Sequence, residues 1–141
     1  MVMTTYQRAL EALCNDLALP KGDEYTQDWA HELPETYRTA EWFDAYLSAI
    51  DEHRYGPEGQ RILLSLVLDV ANDLAGDGEL STSQWKRVER ELLRVPGEHA
   101  ELVDYWAVPG EPLEDCFAIT PLIRRLVAES PNGATTGQRE V

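Results

Sequence analysis

One stretch limits the fold more than any other: "PEGQRILLSLVLDVANDLA", residues 57–75, in which Ile62, Leu63, Leu64, Leu66, Val67, Leu68, Val70, Ala71 and Leu74 lie on nearly every side of a helix. A helix apolar all round has to be buried, so this segment is expected to be the central helix of its domain. It is too short and too interrupted to cross a bilayer, because Ser65 breaks the longest apolar run, Ile62 to Leu68. Pro57 suits the first turn of the helix, where a missing backbone N–H costs no intrahelical bond.

Three-to-four spacing recurs on both sides of it. Thr4 or Thr5 can cap a first helix with Tyr6, Leu10, Leu13, Cys14 and Leu17 on one face, ended by Pro20-Lys21-Gly22. Residues 23–33 place Tyr25, Trp29 and Leu33 four apart before Pro34. Thr39 caps a helix with Trp42, Phe43, Tyr46, Leu47 and Ile50 inward, and Gly56 is the expected exit. Ser81 starts another, burying Trp85, Val88 and Leu92; a short segment, residues 99–108, follows. A last helix opens at Thr120, as cap, and Pro121. The expectation is an all-α single-domain bundle of about six helices around residues 57–75, with a helical domain over 1–130 and a flexible tail over 131–141.

"NDLAGDGELSTSQW", residues 72–85, poses a specific question. As an EF-hand loop it would put Asp73, Asp77, Glu79 and Ser81 at ligand positions and Gly78 at the tight turn. Ala75 brings no side-chain oxygen, and Gln84 stands where a bidentate glutamate grips the ion. A turn explains the same letters: Gly76 as a left-handed helix exit, then Ser81 and Gln84 as a reciprocal capping box. The turn is the expectation, with no metal and no cofactor.

Catalytic patterns are absent from the sequence: no G-x-S-x-G, P-loop, H-E-x-x-H, C-x-x-C or dinucleotide glycine motif occurs. His31, His53 and His99 lack ligand spacing, and Cys14 and Cys116 read as reduced thiols of a cytoplasmic protein. The N-terminus lacks the layout of a secretion signal. A polar stripe, Ser65, Asp69, Asn72 and Asp73, interrupts the apolar helix. Two carboxylates at i and i+4 repel unless a cation answers them, and Arg87, Arg90 and Arg94 on the next helix are the expected answer.

Charge narrows the partner. The chain carries 26 Asp and Glu against 12 Lys and Arg, a formal net charge of −14. Such a surface disfavours nucleic acid and anionic membranes and steers basic proteins inward. Residues 23–58 hold ten acids and two bases, and residues 95–119 hold six acids and no Lys or Arg. On residues 39–54 the side opposite the apolar face is a ridge of Glu41, Asp44, Ser48, Asp51 and Glu52. With Asp28, Glu32 and Glu35, the acids of this ridge are the candidate partner-binding residues, and Tyr25, Trp29 and Tyr37 are candidate exposed anchors.

A small, acidic, all-helical chain without catalytic equipment resembles the immunity proteins of bacterial toxin systems, above all those that block nucleases. The resemblance implies a non-enzymatic inhibitor whose acidic ridge occupies or occludes a basic toxin's substrate surface. A phage or plasmid decoy imitating DNA phosphate and a metal-binding module built on residues 73–84 are the alternatives.

Overall fold

A computed structural model describes residues 3–95 and 97–129; the expected tail, residues 131–141, lies outside them. The chain is all-α. Seven α-helices and two 3-10 turns, at Glu35–Tyr37 and Leu113–Asp115, occur among the described residues, and no strand does. The helices are α1 (Thr5–Leu17), α2 (Trp29–Glu32), α3 (Ala40–Glu52), α4 (Gly56–Gly76), α5 (Thr82–Leu93), α6 (Ala100–Ala107) and α7 (Thr120–Glu129). They fall into two compact units, one holding the described residues up to Leu74 and the other those from Ala75 onward.

In the first unit α4 is buried as its composition requires: Leu63, Leu64, Leu66, Val67, Leu68, Val70 and Ala71 have no exposed surface. Each such leucine is worth roughly 1.5–3 kcal/mol of apolar transfer, so this helix dominates the unit's stability. Gly59 is required by close packing, since a Cβ there would sit 2.3 Å from Cβ of Tyr55. Thr4 caps α1 in a full capping box with Gln7, and the Thr39 hydroxyl accepts from the Trp42 amide at the start of α3.

The exits depart from the sequence expectation. α1 ends at Ala18 (φ 60°) rather than at the Pro-Lys-Gly, and α3 ends at His53 (φ 52°) rather than at Gly56. A left-handed non-glycine residue costs on the order of 1–2 kcal/mol, a cost that packing on either side offsets. Gly56 instead begins α4, at φ 75°.

Residues 23–28 also differ from the expected helix. The Asp23 carboxylate accepts from the Tyr25 amide (2.9 Å) and the Thr26 hydroxyl from the Asp23 amide (3.0 Å). These local bonds offer the backbone a turn in place of a helical ladder, so α2 has a single turn and Tyr25 is 78% exposed. Trp29, a candidate exposed anchor, is buried, and its indole N–H donates to the Pro20 carbonyl at 2.7 Å. Tyr37 is half-buried, edge-on to Trp42.

In the second unit, α5 bears the expected capping box, with the Gln84 side chain accepting from the Ser81 amide (2.9 Å) and the Ser81 hydroxyl accepting from the Gln84 amide (3.1 Å). The left-handed residue of the preceding turn is Gly78 (φ 72°), not Gly76, which α4 still includes. Trp106, Phe117 and Tyr105 form a ring cluster with centroids 4.6–5.4 Å apart. Thr120 is not a simple cap. Its buried hydroxyl accepts from the Phe117 amide (3.1 Å) and donates to the Trp106 carbonyl (2.8 Å), tying α7 to the end of α6. Arg124 completes the tie, donating from Nε to the Ala107 carbonyl (2.7 Å) and from its second terminal nitrogen to those of Val108 (2.5 Å) and Glu111 (2.8 Å).

Candidate functional site

The acids of the first unit divide into two sets. Asp69 and Asp73, on the polar stripe of α4, are met by one buried cation, Arg38, which follows the Glu35–Tyr37 turn. Its Nε donates to Asp73 at 2.6 Å, one terminal nitrogen to the Ala30 carbonyl at 2.7 Å, and the other to Asp69. His31 brings Nδ1 to 3.4 Å from both Asp69 oxygens and stays largely exposed. Burial pulls the guanidinium down, and the carboxylates of Asp73 and Asp69 more than reverse it.

This cluster corrects the expected partner of the stripe. The cation comes from the segment before α3, and Arg94 of the α5 ridge pairs instead with Glu91 (3.4 Å) and Glu98 (3.7 Å). One signal for Arg38 was legible: it is the only Lys or Arg between Lys21 and Arg54, beside the apolar pair Leu33 and Tyr37. A guanidinium fixed by three acceptors cannot serve as a base, so the cluster holds the 28–38 segment onto α4.

The second set faces outward. Glu35, Glu41, Asp44, Asp51 and Glu52 are all exposed, and Phe43, Tyr46, Leu47, Ala49 and Ile50 on the other side of α3 have almost no exposed surface. α3 is therefore anchored along its whole inner face, and the Tyr46 hydroxyl adds a bond to the Tyr37 carbonyl at 2.7 Å. Burial pushes that hydroxyl up, which keeps it a neutral donor.

Two of the seven candidate residues are occupied locally. The Asp28 carboxylate accepts from the His31 amide as the cap of α2, and the Glu32 carboxylate accepts from the amides of Gln27 (3.0 Å) and Asp28 (2.8 Å). A third, Glu52, pairs with Arg54, whose Nε lies 2.8 Å from it. Arg54 also reaches Asp16 at 2.7 Å, and Glu52 first, then Asp16, hold its guanidinium up. Hydrogen bonds from Tyr55 and then Arg54 hold the Asp16 carboxyl down. The acidic ridge of α3 is thus closed by a cation at its C-terminal end.

Across residues 73–84, Asp77 and Glu79 are exposed, while Gln84 is committed to the cap of α5. Among the described residues, no group of three or more His, Cys, Asp and Glu side chains is placed to hold a metal ion. Cys14 and Cys116 are free thiols, and burial pushes Cys14 up to about 11.

A groove of about 500 Å³ opens beside the N-terminal half of α1, floored by Trp29 and Leu10 and edged by Met3, Tyr6 and Asp23. A smaller recess of about 200 Å³ shares Tyr6, Gln27 and Trp29 with it and extends to Asp28 and Ile62. Sequence reasoning missed this feature, because Tyr6 and Leu10 carry the spacing of core residues. No family model matches the chain, and neither a curated protein nor a solved structure matches it.

Proposed function

We propose that this protein is a non-enzymatic binding protein that neutralises a basic protein partner, in the manner of the immunity proteins that inhibit bacterial toxins. The observation that carries this reading is the outward face of α3, where Glu41, Asp44 and Asp51 stand exposed on a helix whose opposite face is fully packed. Acids on a preorganised helix lose little conformational freedom on docking, and their field speeds encounter with a cationic surface. The net charge of −14 points the same way. A nuclease is the toxin class such a face suits best, since a surface built for phosphate is itself basic. A calcium-binding role for residues 73–84 draws less support, because the Gln84 side chain is engaged with the Ser81 backbone.

Affinity purification of the tagged chain from its source cells, eluted across a salt gradient, tests the proposal. One basic protein in equal amount is expected, and its activity separates a toxin from a DNA-binding target of a phosphate mimic. Recovery of no basic partner from cells expressing the neighbouring genes contradicts the reading.

A further inference from the structure

Three of the large hydrophobic side chains exposed on the described surface, Met3 (38%), Tyr6 (44%) and Tyr25 (78%), lie within the N-terminal 25 residues, and two of them edge the groove beside α1. A cleft of about 500 Å³ is of the size that holds a ligand, roughly 300–1,000 Å³. Its floor is apolar, and the one indole donor there is spent on the Pro20 carbonyl. A ligand therefore gains from apolar burial against Leu10 and Trp29, with polar contacts left to the rim, where Gln7, Thr26 and Gln27 lie.

The rim selects for charge. Lys21 is tied to Glu11 at 3.1 Å and Arg61 to Glu58 at 2.8 Å, so both cations lining the two recesses are already answered. Among the described residues, Asp23 and Asp28 accept from backbone amides, those of Tyr25 and His31, and neither carboxylate is ion-paired. Burial first and then the Asp28 charge push the Tyr6 hydroxyl up, which places that carboxylate's field on the groove itself.

From the apolar floor, the exposed aromatic edge and the two uncompensated carboxylates, we infer that the groove beside α1 is a docking site for a short cationic segment of a protein, one that sets an aliphatic or aromatic side chain against Leu10 and Trp29 and a Lys or Arg near Asp23 and Asp28. The inference rests on the reading of a basic protein partner and adds a second contact surface to the ridge of α3. Apolar anchoring with electrostatic selection gives such a site both residence time and sign specificity.

The test is a titration of the full-length ¹⁵N-labelled chain with three synthetic octapeptides: one alternating Lys with Leu and Phe, one with every Lys replaced by Glu, and one with every Leu and Phe replaced by Ser. The expected result is saturable shifts of the Trp29 indole N–H and of the Tyr6 and Leu10 amides with the first peptide. Binding at least fivefold weaker is expected for the other two. Tyr6→Ser, at an exposed position on the first turn of α1, should weaken the first peptide at least fivefold and leave the melting temperature nearly unchanged. Equal shifts with the acidic peptide, no saturable shift at these residues, or dilution-dependent shifts without peptide, which would assign the groove to a second copy of the chain, each overturn the inference. A captured basic partner that binds Tyr6→Ser as tightly as the parent chain rejects the groove and leaves the α3 reading standing. Peptide saturation without any captured partner does the reverse.

Discussion

α3 and α4 each carry carboxylates about one turn apart and set them in opposite surroundings. Asp69 and Asp73 on α4 are four residues apart and share one buried guanidinium. Glu41 and Asp44 on α3, with Asp51 two turns on, face solvent from a helix equally well packed on its inner side. Spacing alone therefore says nothing about the role of an acidic stripe. What differs is burial: a guanidinium withdrawn from solvent meets the α4 pair, and the α3 acids stay in water. On α4 the paired charges fix the fold, and on α3 the acids stand exposed at the surface.

The largest effect expected from breaking this division is at Arg38. Arg38→Met should destabilise the chain by about 3–5 kcal/mol, because it leaves Asp69 buried without its cation. Urea unfolding measures the loss, and adding Asp69→Asn and Asp73→Asn should recover most of it. A loss under 1 kcal/mol would mean that the cluster is ornamental.

Next comes the buried thiol of α1. The folded-state value of Cys14 is raised, so the unfolded chain releases that proton first as pH rises, and stability should fall from pH 9 toward about 11. The ordinary value is 9.0, so the two-unit window corresponds to roughly 2–3 kcal/mol. Unfolding at several pH values should show the decline, and Cys14→Ala should flatten that part of it.

A smaller effect belongs to the second unit. Thr120→Val removes the hydroxyl that serves Trp106 and Phe117, at a cost of about 1–3 kcal/mol in thermal or chemical unfolding. Smallest of all should be the stability change on converting Glu41, Asp44 and Asp51 to Lys, about 0.5 kcal/mol or less at each exposed site. Far larger losses would make the ridge a folding element like the stripe of α4.

Capping chemistry and apolar spacing made much of the fold legible. Thr4, Thr39 and the Ser81–Gln84 pair each cap the helix expected of them, and α4 differs from its sequence bounds by one residue at each end. The exits were not legible, because Ala18 and His53 adopt a conformation their residue type disfavours, and only packing can impose it. Trp29 and Tyr25 share one face by spacing yet part company, Trp29 buried and Tyr25 exposed, since the Asp23–Thr26 turn ends the helical register before it reaches Tyr25. Of the candidate site, the outward acids of α3 follow directly from periodicity. The answer to Asp69 and Asp73 does not, because Arg38 lies 31 residues before Asp69 and nothing local ties them.

The most direct test of the central claim is the association rate of the captured basic partner with the chain in which Glu41, Asp44 and Asp51 are all Lys, measured by stopped flow at low and at high salt. A fall of at least about tenfold is expected at low salt, shrinking as salt screens the field, with folding stability nearly unchanged. Equal rates for the two chains at low salt would contradict it.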